Sequence, residues 1–322
     1  MRRPLVGALT TLLLAGAGVA GAGTATAATP QGDSAAAPAK ASAAKAAPVS
    51  AQAASIQAAS ATGPAAAAKP KAVDFAGTVA LSNCSGSLIR LPGSGDNDPA
   101  LVLSNGHCLE TGMPGAGDVI TDQPSSRTFS LLNSTAGKVA TLRATKVSYA
   151  TMTDTDISLY ELNTTYARIK QQYGINALSL SADHPTAGTA IKVVSGYWKR
   201  IYSCNADGFV HELREGDWTW KDSLRYTPSC NTIGGTSGSP VVDANTGKVV
   251  AVNNTGNESG ERCTMNNPCE VDENGQVTVR KGINYAQQTY GIAKCFAAGN
   301  KLDLDLPGCE LPRPTEEETP LS

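Results

Sequence analysis

The stretch Gly234-Gly235-Thr236-Ser237-Gly238-Ser239-Pro240-Val241-Val242-Asp243 (GGTSGSPVVD) decides how the rest of the chain is read. Glycine, threonine and serine are the ordinary material of a surface turn, and Pro-Val-Val reads as the start of a short strand. The same residues would also suit a turn that presents the Ser237 hydroxyl with backbone N–H groups beside it. A G-x-S-x-G elbow is excluded, because Ser239 stands where the last glycine would be. The choice between a plain turn and a nucleophile's turn rests on partners elsewhere.

The 322 residues are 41% hydrophobic but only 5% aromatic, with 32 glycines. That composition suits many short strands and tight turns better than long packed helices. From Val73 onward, short apolar runs alternate with Gly, Pro, Asn and Asp. They include Gly77–Leu81, Ser87–Leu91, Ala100–Leu103, Lys138–Leu142, Ile157–Leu162, Ala190–Ser195, Val249–Val252 and Val277–Val279. Runs at this frequency predict an all-β sandwich or barrel. One helix is expected over Thr165–Tyr173, stopped by Gly174, and a second near Tyr285–Ile292.

Arg2 and Arg3, the apolar run Leu5–Ala20 and Ala25-Thr26-Ala27 have the layout of a secretory signal over residues 1–27. The apolar run is short and glycine-rich for a membrane span. Residues 28–72 are mostly Ala with Pro, Ser, Gln and Lys, too poor in large apolar side chains to bury a core, and read as a pro-region or linker. Residues 73–310 form the organised domain, and Leu311–Ser322 an acidic tail expected to be disordered. Six of the 26 basic residues and one of the 28 acidic ones lie in residues 1–72, which leaves the remainder at −7. An acidic body argues against binding a phosphate backbone.

All eight cysteines (Cys84, Cys108, Cys204, Cys230, Cys263, Cys269, Cys295 and Cys309) follow the low-complexity segment. In an exported chain an even count reads as up to four disulfides. No C-x-x-C pair is present to suggest a metal site. Of the three histidines, His184 sits beside Pro185 in a surface loop, and His211 lies on an exposed hairpin. His107 directly follows the strand Ala100–Leu103 and precedes Cys108.

Cys84-Ser85-Gly86-Ser87-Leu88-Ile89 and Leu103-Ser104-Asn105-Gly106-His107-Cys108 resemble the first half of a chymotrypsin-like serine protease. Gly235-Thr236-Ser237-Gly238-Ser239-Pro240 resembles the nucleophile motif of that family's secreted bacterial branch, as in glutamyl and lysyl endopeptidases. Thr155-Asp156-Ile157-Ser158-Leu159-Tyr160 is similar to the aspartate segment, and Gly188–Val193 and Gly282–Tyr285 to further core strands. The resemblance runs from Val73 to Ile292 in the order His, Asp, Ser. It implies two packed six-stranded antiparallel Greek-key β-barrels with a short C-terminal helix, and a secreted (extracellular) endopeptidase working through an acyl-enzyme. It also implies a Cys84–Cys108 disulfide. Cys263–Cys269 would close a short loop and Cys295–Cys309 would tie down the C-terminal segment, which leaves Cys204–Cys230 by elimination.

The chemistry fits those roles. A serine hydroxyl needs a base to take its proton, and imidazole titrates in the right range. That base needs a buried carboxylate to fix its tautomer. Ser237 is therefore the expected nucleophile, His107 the general base and Asp156 the orienting carboxylate, in preference to Asp154, which lies in a loop. The N–H groups of Gly235 and Ser237 are expected to form the oxyanion hole, where glycine permits the backbone angles required. Thr236 replaces the aspartate that captures a freed N-terminus in the digestive enzymes, so activation by that route is not expected. By family position the pocket should include Asn231 and Thr232, opposite Asn253 and Asn254. Asn253 stands where glutamyl endopeptidases carry a histidine, so a polar, uncharged pocket is expected. The partner is a protein or peptide substrate. No cofactor, metal or nucleic acid is expected, nor a membrane once the signal is removed, and the chain is expected to be a monomer. A protease-fold binding or adhesion protein and an esterase on the same triad are the alternatives.

Overall fold

The computed structural model describes residues 71–315. The signal segment, residues 28–70 of the low-complexity region and residues 316–322 of the acidic tail lie outside the described residues. The first half of the domain contains β1 (Thr78–Ala80), β2 (Ser85–Arg90), β3 (Pro99–Ser104), β4 (Val119–Pro124), β5 (Thr128–Leu132), β6 (Lys138–Thr151) and β7 (Ile157–Thr165). Antiparallel pairing runs β1-β5-β6-β7-β3-β2 and back to β1, closing a six-stranded ring, with β4 on the side of β6.

The helix α1 (Tyr166–Tyr173) follows, with Thr165 Oγ1 accepting from the Arg168 N–H at its start and Gly174 ending it at φ 69°. The next strands are β8 (Leu178–Ser179), β9 (Ala190–Ser195), β10 (Arg200–Glu215), β11 (Trp218–Tyr226), β12 (Pro240–Asp243), β13 (Val249–Gly256), β14 (Cys269–Val271), β15 (Val277–Thr278) and β16 (Asn284–Gln288). A second antiparallel ring closes through β9-β10-β11-β16-β13-β12. Two ring-closed sheets in one chain are a chymotrypsin-like fold.

Alternation of side chains decides what each barrel buries. Leu88, Val102, Phe129, Leu142 and Tyr160 fill the first barrel, and Ile191, Val193, Leu224, Val241 and Ala251 fill the second. Their neighbours Ile89, Leu101, Leu103 and Leu159 point the other way, onto Val194, Val242, Val249 and Val252 of the second barrel. This is why Leu101-Val102-Leu103 and Val249-Val250-Ala251-Val252 are continuous apolar runs: both faces are covered. Four disulfides join Cys84–Cys108, Cys204–Cys230, Cys263–Cys269 and Cys295–Cys309, each contributing on the order of 2–4 kcal/mol in a chain-entropy account.

One expectation is corrected. Tyr285–Ile292 is not a helix and no α-helix ends the described chain. Tyr285 and Ala286 pair with Arg225 and Leu224 on one side and with Thr255 and Asn253 on the other, closing the second ring. The helical turn that follows is 3-10, Ile292–Cys295, and it leads into a short hairpin of Phe296–Ala297 with Lys301–Leu302. Ring closure outweighs the local helical pattern there.

Candidate active site

β3 ends at Ser104 against the second barrel, and the chain then turns through Asn105 into a 3-10 turn, Gly106–Cys108. Each neighbour of His107 is held. Asn105 Nδ2 donates to the Asp156 carbonyl at 2.7 Å, and Ser158 Oγ donates to the Asn105 carbonyl at 2.7 Å. A Cβ on Gly106 would overlap the Thr151 carbonyl, so only glycine fits. Cys108 is bridged to Cys84, and its carbonyl accepts from the buried Arg127 guanidinium at 2.6 Å and from Asn83 Nδ2 at 3.1 Å.

Asp156, fully buried just before β7, accepts the His107 backbone N–H at 3.0 Å on one oxygen. Its other oxygen lies 2.6 Å from His107 Nδ1. A carboxylate can only accept, so Nδ1 carries a proton, and in the neutral ring Nε2 keeps a lone pair. Burial alone would push the imidazole down, but the charge and hydrogen bond of Asp156, helped by Glu215, leave it above the ordinary 6.5. Asp154 is differently placed: its φ is 59° and its carboxylate pairs with Lys221 at 2.8 Å on the surface.

The Ser237 turn belongs to the second barrel. Thr236 N–H donates to the Ile233 carbonyl and Ser239 N–H to the Thr236 carbonyl, both at 3.0 Å. Thr236 Oγ1 also donates to the Ile233 carbonyl and accepts from Asn253 Nδ2 at 3.1 Å. Ser85 N–H reaches across from the first barrel to the Ser237 carbonyl at 2.8 Å. A Cβ on Gly238, at φ 79°, would overlap the Ser85 carbonyl and Ser104 Oγ. The barrels therefore meet directly beneath Ser237.

Gly235 sits at φ 87° with the Tyr197 and Trp198 rings against its α-carbon. The Gly234 carbonyl accepts from Trp198 Nε1 at 2.7 Å, and the Gly235 carbonyl from Ser85 Oγ at 3.1 Å. The N–H groups of Gly235 and Ser237 donate to no acceptor among the described residues. Gly234 C=O and Gly235 N–H belong to one trans peptide and point in opposite directions, so the bond to Trp198 fixes where that N–H aims.

His107, Asp156 and Ser237 line one cleft of about 350 Å³. The structure joins His107 to Asp156 but not to Ser237. Among the described residues, Ser237 Oγ hydrogen-bonds only to the Asn254 carbonyl, at 3.4 Å. Thr232, Asn253 and Asn254 also line the cleft. Asn231 does not: it is exposed, because Thr232 next to it turns inward. Asn253 is a structural floor, its Oδ1 accepting from Tyr226 Oη at 3.0 Å while its Nδ2 is taken by Thr236. Thr232 Oγ1 donates to Asn284 Oδ1 at 2.9 Å. Asn254 is buried, and neither of its amide atoms has a partner among the described residues.

His184 and His211 stay outside the cleft. His184 is held on the surface by Asp222 at 3.0 Å, and His211 is exposed on β10. Cys84, His107 and Cys108 lie close enough to share a metal ion, but the two sulfurs are bonded to each other. The sequence reading missed Trp198, Asn284 and Glu215. Asn284 was visible only as a polar residue opening a strand, and Glu215 was hidden in the charged run Glu212–Asp217. Burial pushes the Glu215 carboxyl up, against the opposing hydrogen bonds from Thr255 and the Asn266 N–H.

Residues 84–252 match the family described as trypsin-like peptidase domain. The chain belongs to this family. The matched span carries the His107, Asp156 and Ser237 segments and stops before β16. Among solved structures, this trypsin-like peptidase chain is similar to the MamO protease domain from Magnetospirillum magneticum, at 12% identity and a TM-score of 0.42, covering 68% of this chain and 94% of that one. It is also similar to the thermostable serine protease AL20 from an extremophilic microorganism, at 16% identity and a TM-score of 0.40, covering 67% and 91%. A third is the chymotrypsin of Cellulomonas bogoriensis, at 14% and 0.36, covering 67% and 91%. No curated protein matches the chain.

Proposed function

We propose that this trypsin-like peptidase is a secreted serine endopeptidase with Ser237 as nucleophile, His107 as general base and acid, and Asp156 as orienting carboxylate. The observation that carries the reading is the 2.6 Å contact of His107 Nδ1 with the buried Asp156 carboxylate, in a cleft that Ser237 also lines. In the neutral imidazole it leaves Nε2 unprotonated, as a base must be. In this reading the hydroxyl leaves its long contact with Asn254 for Nε2 of His107, which lines the same cleft. Catalytic hydrogen bonds of this kind tighten when substrate arrives.

In the reaction, Ser237 Oγ attacks the scissile carbonyl carbon while His107 Nε2 takes the hydroxyl proton. The N–H groups of Gly235 and Ser237 receive the oxyanion, a role worth about 3 kcal/mol per donor. The carbon–nitrogen bond then breaks as His107 returns the proton to the leaving amine, and the acyl group stays on Oγ. Water repeats the sequence: His107 takes its proton, the carbon–Oγ bond breaks and the serine hydroxyl is restored.

The hydrogen bonds of Thr236 to Ile233 and Asn253 support a nucleophile turn that forms without a freed N-terminus. Disulfides without a free cysteine among the described residues suit the oxidising exterior that the N-terminal signal layout implies. The test is a fluorescent serine-directed phosphonate applied to the oxidised protein. It should label Ser237 and block cleavage of a peptide library; folded protein that neither reacts nor cleaves would sink the proposal.

A further inference from the structure

Two buried glutamates in the second barrel are treated differently. Glu270 is surrounded by partners: Arg225 at 2.8 Å, Arg280 at 3.0 Å and Tyr285 Oη at 2.9 Å. Glu215, at the end of β10 and only 4% exposed, has no Lys or Arg within ion-pairing distance among the described residues. Its carboxylate is held by neutral donors alone, Thr255 Oγ1 at 2.6 Å and the Asn266 N–H at 2.9 Å. A buried carboxylate without a cation is costly to keep, and a structural one acquires partners as Glu270 does.

Glu215 lines the cleft of His107 and Ser237. Asp156 and Glu258 line it too, and no Lys or Arg does. The walls beside it are apolar and fixed. Trp218 Nε1 is anchored on the Pro114 carbonyl at 2.9 Å and Trp220 Nε1 on the Met152 carbonyl at 3.0 Å, with Met152 and Met265 filling in. Aromatic faces and thioethers accept the methylene stem of a long cationic side chain, and an indole face attracts its charged end. The short loop closed by Cys263–Cys269 holds the arrangement, since it supplies the Asn266 N–H and its Cys263 carbonyl accepts from Gly216 at 2.9 Å.

We propose that Glu215 is the anchor of a cation-selecting subsite beside His107, which takes a lysine or arginine side chain of the substrate close to the scissile bond. The proposal rests on the peptidase reading and supplies what the uncharged floor of Thr232, Asn253 and Asn284 does not: a charge preference. The substrate's cation provides the partner that the fold withholds from Glu215, and it does so only in the complex.

The test moves a single lysine through each position flanking the scissile bond of an otherwise neutral quenched peptide, against norleucine at the same position. At one position wild-type protein should cleave the lysine peptide about tenfold better in kcat/KM, the scale expected for one well-placed charge contact. Glu215→Gln removes the charge while its one oxygen still accepts the Asn266 N–H and its amide can donate to Thr255 Oγ1, and the lysine-to-norleucine ratio should fall to near one. A residue that only staples the loop would slow both peptides alike and leave the ratio intact, which would overturn the proposal. So would a wild-type enzyme indifferent to lysine at every position. Binding of the same peptides to Ser237→Ala protein, with and without Glu215→Gln, reads the subsite without turnover. A lysine preference in that binding, together with wild-type protein that cleaves none of the peptides, would sink the peptidase reading and keep the subsite.

Discussion

The two barrels contribute unequally finished halves of the cleft. On the first, His107 and Asp156 are closed on each other by two hydrogen bonds, with a disulfide, Asn105 and Arg127 behind them. On the second, among the described residues, Ser237 Oγ rests on a 3.4 Å contact, two N–H groups lack acceptors, the Asn254 amide is unpartnered and the Glu215 carboxylate has no counter-ion. The difference separates what must be rigid before substrate arrives from what substrate completes. In the proposed mechanism the base holds one tautomer throughout, whereas the donors and the carboxylate act only on a bound peptide.

Breaking the open half at its centre should cost most. Ser237→Ala is expected to lower kcat on the order of 10⁶-fold while the thermal melt stays put, as measured by peptide hydrolysis beside calorimetry. Breaking the closed half comes next: Asp156→Asn should cost about 10⁴-fold in kcat, because an amide can donate to Nδ1 and favour the wrong tautomer. Near-normal turnover in that variant would mean the pair is only structural. Trp198→Phe keeps a ring against Gly235 but loses the N–H that fixes the Gly234–Gly235 peptide. A fall of about 10–100-fold in kcat with KM little changed is expected, by analogy with losing one oxyanion donor; a change in KM alone would place Trp198 in substrate contact instead.

The smallest effect concerns pH. With His107 raised above 6.5, kcat/KM should climb through a midpoint above that pH as the imidazole loses its proton. Stability runs the other way. The protonated form is favoured by folding, so this contribution is fully present below about 6.5, the unfolded value, and fades as pH rises through the folded value. Removing the imidazole (His107→Ala) should flatten that slope in melts across pH 5 to about 9; an unchanged slope would assign it to other groups.

Much of this was legible in the residues. Turn-bounded apolar runs predicted an all-β sandwich or barrel, the family resemblance implied the two barrels, and Thr165 with Gly174 bracketed α1 through local caps. The segments around His107, Asp156 and Ser237 were separate in sequence and share one cleft in the fold. A hairpin was expected around His211, but not the full length of β10 and β11, whose exposed positions carry charges such as Arg214 and Lys221. Tyr285–Ile292 was misread because ring closure is a long-range demand. Asn231 was assigned by family position, which does not say which neighbour faces inward. Trp198 and Glu215 are single residues defined by distant partners, and nothing next to them in sequence marks them.

Gly238 carries one consequence beyond catalysis. The place where the two barrels touch has no room for a single carbon atom, and that place is the floor under Ser237. Loosening of the seam, by heat, denaturant or a bulky neighbour, is expected to displace Ser237 before either ring loses a strand. Activity should therefore act as the fuse of this molecule, failing while the circular dichroism of both barrels still looks whole.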